Sequence, residues 1–306
     1  MGNDTPLHFY AHGKLLLTGE YAVLDGASAL AIPTRYGQSM TIHSTMTDDC
    51  HWKSIDSDGI VWFETHFGNN GAILTCAPDQ QSIAQTLQEI LRAAQQLQPG
   101  FNPFKQHKVE TLLEFPRNWG LGTSSTLLYN IAQWAQVDPV QLLRASFGGS
   151  GYDVAVAQYN KPILYKLEDG EPQVDTIEIP WDFKNQLFFV HLNEKQNSKK
   201  GIALYKKALQ QHKAPLEEIS ILTNQIANCT QFDTCMTLFE AHERIISNLL
   251  NLPTVKTRLF SDFNGVIKSL GAWGGDFVLA GGDQEAMDYF REKGYHTIIP
   301  FAEMIA

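Results

Sequence analysis

The sequence predicts an α+β protein, strand-rich in its first half and mostly helical in its second. Three observations carry this. The stretches "QSMTIHS", "CHWKSID" and "IVWFETHF" alternate apolar and polar residues and are separated by Asp, Ser and Gly, the pattern of half-buried strands in antiparallel ribbons. Ile83, Leu87, Ile90, Leu91, Ala94 and Leu97 recur at helical spacing and predict a helix over 82–97. Later in the chain, the apolar runs "NQLFFVHLN" and "GDFVLAGG" enclose several helical segments, as expected of buried strands carrying a helical layer.

In chain order, "HFYAHGKLLLTG" and "SALAIPT" are apolar and branched and read as strands, followed by the alternating ribbons and the helix 82–97. Strand "KVETLLEF" comes next. A helix then places Leu127, Leu128, Ile131, Trp134 and Ala135 on one face. After "NQLFFVHLN" the spacing predicts helices at about 199–212, 214–229, 232–251 and 255–269, then strand "GDFVLAGG", a short helix from Asp283 and strand "YHTIIPF". The turn-like "EIPWDFKN" suggests a boundary near residue 182, giving domains 1–182 and 183–306.

Hydrophobic residues make up 43% of the chain, enough for a real core. A net charge of −10 argues against nucleic acid as a partner, so any anionic ligand needs a local cluster of cations. No run approaches the roughly 20 apolar residues that span a bilayer. The start "MGNDTPLHFYAHGK" lacks the basic and apolar regions of a secretory signal, and Pro6 breaks the myristoylation pattern. The cysteines form no CxxC pair. A cytoplasmic protein with reduced thiols and no membrane partner is expected. Nothing sets the oligomeric state, and a homodimer stays open.

The segment "NWGLGTSSTLLYN" (118–130) places a glycine-rich turn and three hydroxyl residues at the start of a helix built for the core. A helix N-terminus offers unsatisfied N–H groups and the positive end of a dipole. Glycines let the backbone curl round a phosphate, and hydroxyls add donors or a ligand for a bridging magnesium ion. Gly120, Leu121, Gly122, Thr123, Ser124 and Ser125 thus form a candidate phosphate cradle. A capped helix after a tight turn explains the same letters. The segment is neither a Walker sequence, since no GK[ST] follows, nor the dinucleotide fingerprint.

Three further stretches bear on the choice: "HGKLLLTGEYAVLDG" (12–26), "GGSGYDVAVAQY" (148–159) and "GAWGGDFVLAGG" (271–282). With "PRNWGLGTSST" (116–126) they resemble, in order and over the whole chain, the signatures of the GHMP kinase superfamily, which includes galactokinase, homoserine kinase, mevalonate kinase and phosphomevalonate kinase. The resemblance implies a ribosomal-protein-like N-terminal domain, a ferredoxin-like C-terminal domain and an active site in the cleft between them. It also implies transfer of the γ-phosphate of ATP, with Mg2+, to a hydroxyl or phosphate of a small molecule.

Within that resemblance, Asp153 takes the catalytic aspartate position and would take or orient the acceptor's proton. A helix cap is its bland alternative. Lys14 matches the lysine of PGK, although His12 replaces the proline, and would neutralise charge on the transferring group. Ser124 matches the magnesium-binding serine and Thr123 the one before it, while Ser125 and Thr126 replace two alanines. Several relatives add a glutamate ligand before the aspartate motif. Here "VDPVQLLRASFGG" offers only Asp138, which a helix cap before Pro139 explains better. Glu20 and Tyr21 match residues that face the acceptor, as do Gly274 and Gly275 of the terminal glycine turn, where Trp273 replaces a glycine and Asp276 resembles the phosphomevalonate kinase version. Apart from the resemblance, Lys195, Lys199 and Lys200 lie in a polar loop entering a helix of an acidic chain, where they read either as a solvated helix start or as the cationic wall that an acidic acceptor needs.

These expectations converge on a kinase of mevalonate or phosphomevalonate. A sugar or homoserine kinase is the alternative within the class. A non-catalytic sensor of ATP or a metabolite is the alternative outside it, permitted by Trp273 and the missing glutamate.

Overall fold

The computed structural model describes residues 5–194, 198–210 and 214–306. The chain forms two compact units, each assembled from separate segments. One comprises Met1–Gly13, Tyr36–Arg117 and Gly122–Gln158; the other comprises Lys14–Arg35, Asn118–Leu121 and Tyr159–Ala306. The sequence-based boundary near 182 is a single cut along the chain. Grouping by contact instead places Lys14–Arg35 and Asn118–Leu121 with the C-terminal residues.

In the first unit, strands lie in the order Ile73–Cys76, Val61–Gly68, Asp49–Ile55, His107–Leu113 and the later part of Ala29–Ser44. Asp49–Ile55 and Val61–Gly68 pair antiparallel, as the alternation predicts. The strands "QSMTIHS" and "CHWKSID" are not neighbours, however. His107–Leu113 inserts between them, parallel to Asp49–Ile55 and antiparallel to Ala29–Ser44. A parallel pair needs a long crossover, and the intervening strands and the helix Gln81–Leu97 provide it.

Alternation divides this sheet into two faces. Trp52, Phe63 and Phe67 turn inward and pack with Leu87, Leu91 and Ala94 of helix Gln81–Leu97, with Leu128 and Ile131 of helix Thr123–Ala135, and with Val154. Asp49, His51, Lys53, Glu64 and His66 occupy alternate positions on the other face. Charged residues on one side and aromatics on the other fix the register, since a one-residue slip would exchange them.

In the second unit, the early part of Ala29–Ser44 pairs with Ile163–Glu168, which forms a hairpin with Glu171–Thr176. Asp169 and Gly170 make the turn with φ of 51° and 80°. Asp-Gly between alternating residues is the local signal for this hairpin, which is not among the strands expected from the sequence. A second, antiparallel sheet runs Ile267–Ser269, Phe277–Gly281, Leu187–His191, Ile298–Pro300. Helices Ser198–Leu209, Leu216–Ala227, Phe232–Leu250 and Gln284–Glu292 accompany it.

The helix expected over 255–269 is a correction. Only Val255–Leu259 is helical, and Ile267–Ser269 is a strand. The turn residues Ser261, Asp262, Asn264 and Gly265 interrupt the helix, and Lys256 Nζ ties back to the Gly265 carbonyl at 2.5 Å. Ile267 then pairs with Ala280 in the sheet. Among the described residues, no helix is long and apolar enough to cross a membrane.

Candidate active site

The glycine turn is built from left-handed backbone. Gly120 and Gly122 have φ of 68° and 93°, a region that side chains disfavour. Gly122 is the N-cap of helix Thr123–Ala135, and among the described residues no side chain caps it. None of the three hydroxyl residues occupies the cap position itself. Ser124 is exposed at the helix start. Ser125 is buried, and its hydroxyl donates back to the Gly122 carbonyl at 2.8 Å. Thr126 is buried too and donates to Gln38 Oε1 at 2.7 Å, while Asn130 Nδ2 donates to the Gln38 carbonyl at 2.9 Å. Ser125 and Thr126 thus find acceptors for their hydroxyls inside the unit instead of disturbing its packing.

Lys14 lies at the end of strand Leu7–Leu16. Its backbone N–H donates to the Leu121 carbonyl at 2.9 Å, and its Nζ donates to the Gly120 carbonyl at 2.9 Å. The ammonium is therefore anchored on the glycine turn itself. Asp276 closes on the same turn: a Cβ added to Gly120 would strike its carboxylate. Asp276 has a φ of 51° and is fixed by an N–H donated to the Glu194 carbonyl at 2.8 Å.

Asp153 is the second residue of helix Tyr152–Tyr159, and its Oδ1 accepts from the Val154 N–H at 3.0 Å. Gly148, Gly149 and Gly151 lead into it with φ of 68°, 123° and 87°. Asp138 is the N-cap of helix Pro139–Ala145, accepting from the Gln141 N–H at 2.8 Å, as its place before proline suggests.

Glu20 and Tyr21 go different ways. Glu20 is fully buried and forms an ion pair with Lys268, itself 1% exposed. Glu243 lies 3.3 Å from the same ammonium and also accepts from the Ser269 N–H, the Ser269 hydroxyl and the Trp273 indole N–H. Glu20 Oε2, in contrast, is buried with no hydrogen-bond partner among the described residues. Two carboxylates sharing one buried ammonium favour a proton on the poorer-solvated one. Burial accordingly pushes Glu20 up to about 7 despite the Lys268 charge. Burial also holds His242 well below its ordinary value, which fits a ring whose Nε2 accepts from the Gly19 N–H at 3.0 Å.

Tyr21 stacks on Tyr205 with ring centroids 6.0 Å apart, and its hydroxyl accepts from the Trp273 N–H at 3.0 Å. It borders a cavity of about 300 Å³ with Leu204, Trp273, Gly274 and Arg258. Arg258 Nη2 donates to the Gly274 carbonyl at 2.7 Å, and Gly274 has a φ of 93°. Gly275 is buried beside it. Trp273 is 6% exposed and packs with Tyr21, Tyr205, Ile246 and Leu250, so the indole is part of the core there. Lys200 is exposed on helix Ser198–Leu209. Lys195 and the side chain of Lys199 lie outside the described residues.

Comparison with protein-family models and with curated proteins finds no match. Solved structures do match, over nearly the whole chain. The mevalonate kinase of Methanococcus jannaschii superposes with a TM-score of 0.70 at 14% identity, covering 97% of this chain and 98% of its own. The phosphomevalonate kinase of Streptococcus pneumoniae, complexed with phosphomevalonate and AMPPNP, gives 0.67 at 18% identity over 94% and 95%. The galactokinase of Lactococcus lactis, complexed with galactose, gives 0.67 at 10% identity over 94% and 88%. The fold is the GHMP kinase fold.

On this GHMP kinase fold the structure groups Lys14 with Gly120, Leu121 and Asp276, and Tyr21 with Trp273, Gly274 and Arg258. It seats Glu20 in a buried ionic cluster instead of at a cavity. Sequence reasoning missed the partners of Glu20. His242 and Glu243 sit in helix Phe232–Leu250 beside the buried Phe239 and Ile246, and polar residues at core positions were the available signal. Lys268 and Arg258 gave no such signal, because both fell within the wrongly extended helix.

Proposed function

We propose that this protein is an ATP-dependent kinase of the GHMP type whose acceptor is a small acidic molecule, mevalonate or phosphomevalonate. The observation that carries the proposal is the seat of Lys14. A cation anchored on a left-handed glycine turn, next to a helix start without a side-chain cap, is chemistry suited to a polyphosphate. The donor set fits the group: the helix-start N–H groups of residues 123–125, the exposed Ser124 hydroxyl for Mg2+, and the Lys14 ammonium seated on the Gly120 carbonyl. Bound magnesium would supply charge neutralisation between phosphates.

In this reading, Gly120–Ser125 hold the triphosphate of ATP, and Lys14 stabilises the charge developing on the transferring group. Asp153 orients the acceptor hydroxyl and takes its proton. The acceptor lies against Tyr21 and Gly274, with Arg258 and Lys200, and also Lys195 and Lys199, facing its acid groups. Arg258 suits this role because its planar fork matches a carboxylate or phosphate. Glu20 serves the site indirectly, as the buried anchor beneath Tyr21.

The test is ATP turnover by purified protein with mevalonate, phosphomevalonate, galactose and homoserine in parallel. Turnover with an acidic hydroxy compound supports the proposal. Turnover with galactose or homoserine alone moves the protein to another acceptor of the same class. ATP binding with no turnover on any of the four leaves the sensor reading.

A further inference from the structure

The open face of the first unit's sheet carries a cluster unrelated to any of these roles. The antiparallel register sets His51 directly opposite His66 and Lys53 opposite Glu64. The two imidazoles stack with centroids 4.1 Å apart and planes 12° apart. His51 Nε2 lies 2.6 Å from Glu64 Oε1, and His66 Nδ1 lies 3.3 Å from Asp49 Oδ2. One nitrogen of each ring and one Glu64 oxygen all fall within 4.8 Å of one another. We propose that His51, Glu64 and His66 form a surface site for a borderline divalent transition-metal ion, Zn2+ in the first instance.

Two imidazoles and a carboxylate are a donor set that suits zinc, copper or nickel and is too soft for magnesium. Zinc holds such atoms at about 2.0–2.1 Å, so tetrahedral ligands stand roughly 3.4 Å apart. His51, Glu64 and His66 would reach that spacing by side-chain rotations that unstack the two rings and turn their in-plane lone pairs toward one point, with water as the fourth ligand. The charge balance favours a cation. Two carboxylates, Glu64 and Asp49, stand beside the imidazoles, at 2.6 Å from His51 and 3.3 Å from His66. The opposing charges are Lys53, 3.4 Å from Glu64, and Lys108, which is paired with Glu110 on the adjacent strand. The site is separate from the proposed nucleotide magnesium. Helices Thr123–Ala135 and Tyr152–Tyr159 pack on the opposite face, against Trp52 and Phe63.

The test is isothermal titration of the untagged full chain with ZnCl2, since a histidine tag would itself bind metal. Parent protein should bind one Zn2+ saturably with a Kd in the micromolar range. His51→Gln, His66→Gln and Glu64→Gln should each weaken binding at least tenfold. Circular dichroism of each variant checks that the sheet persists. A second substitution, Lys53→Met, leaves all three ligands in place and should not weaken binding. Binding that survives unchanged in folded His51→Gln and His66→Gln, or no saturable binding by the parent up to about 1 mM, overturns the proposal.

Discussion

The segments Gly19–Tyr21 and Asn118–Thr126 both carry motifs with glycines at positive φ and polar side chains beside them, yet they use those side chains in opposite directions. In the first, Glu20 faces inward and is wholly buried against Lys268, and only Tyr21 reaches a cavity. In the second, Gly122 starts a helix with no side-chain cap among the described residues, and Ser124 stands exposed. The difference teaches that a motif letter specifies a residue's place in the backbone but not what its side chain touches. Buried, paired polar groups hold a frame in position. Groups left open are the ones that meet a ligand.

The largest expected effect breaks the frame. Lys268→Met removes the ammonium shared by Glu20 and Glu243 and leaves buried carboxylates without a cation. A loss of about 3–5 kcal/mol is expected in denaturant unfolding. Adding Glu20→Gln to that variant should restore a good part of it. A loss under about 1 kcal/mol would mean that the cluster is not the internal support described here.

Asp153→Asn sharpens the other side of the comparison. Turnover should fall by about 10²-fold or more, while unfolding stability and ATP affinity stay near those of the parent. Stability lost in parallel with turnover would instead place Asp153 among the frame residues.

The frame should also show itself through pH. Glu20 titrates at about 4.5 when unfolded and is raised to about 7 by burial when folded. Between those values the folded state binds the extra proton, so stability falls as pH rises through that window and levels off above it. The slope approaches 1.4 kcal/mol per pH unit at most for one proton. Glu20→Gln should flatten this part of the stability profile. A parent profile that rises with pH from 5 to 7, with the same slope in the variant, would show that Glu20 stays charged in the fold.

Arg258 tests whether the cavity beside Tyr21 is an acceptor site. Arg258→Met keeps much of the stem and removes the charge. The acceptor's KM should rise on the order of tenfold, for ~1.4 kcal/mol of lost binding, with ATP's KM little changed. Lys200→Met should do less, because an exposed charge contributes little. Equal acceptor KM values in parent and Arg258→Met would remove the cavity from the reading.

The sequence made these segments visible to different degrees, for physical reasons. Alternation showed the strands of the first sheet because one face is apolar and the other charged, and the period of 3.6 showed helix 82–97 for the same reason. Strand order was hidden, since pairing His107–Leu113 between two earlier strands depends on contacts far apart in sequence. The glycine turn was legible because few residues tolerate its φ values. The buried cluster was not. Glu20, Glu243 and Lys268 come from three distant segments, and nothing local marks a lysine in a short strand as buried. The helix Val255–Leu259 looks longer in the sequence than it is, because Val266, Ile267 and Leu270 continue an apolar rhythm past the turn that ends it.

The smallest effect separates two neighbouring serines, where the comparison is drawn within a single helical turn. Ser125 donates inward to the Gly122 carbonyl, and Ser124 is exposed. Ser125→Ala removes a buried hydroxyl together with its bond, which costs about 1 kcal/mol of stability and leaves turnover nearly unchanged. Ser124→Ala removes an exposed hydroxyl, so stability should stay within about 0.5 kcal/mol. Its effect belongs in the magnesium titration of turnover, which should shift to higher concentration if the hydroxyl helps hold the ion. The two measurements on the two variants form a square whose off-diagonal entries carry the claim. Should Ser125→Ala shift the magnesium titration while Ser124→Ala shifts only stability, the open and closed ends of this helix start would have been assigned the wrong way round.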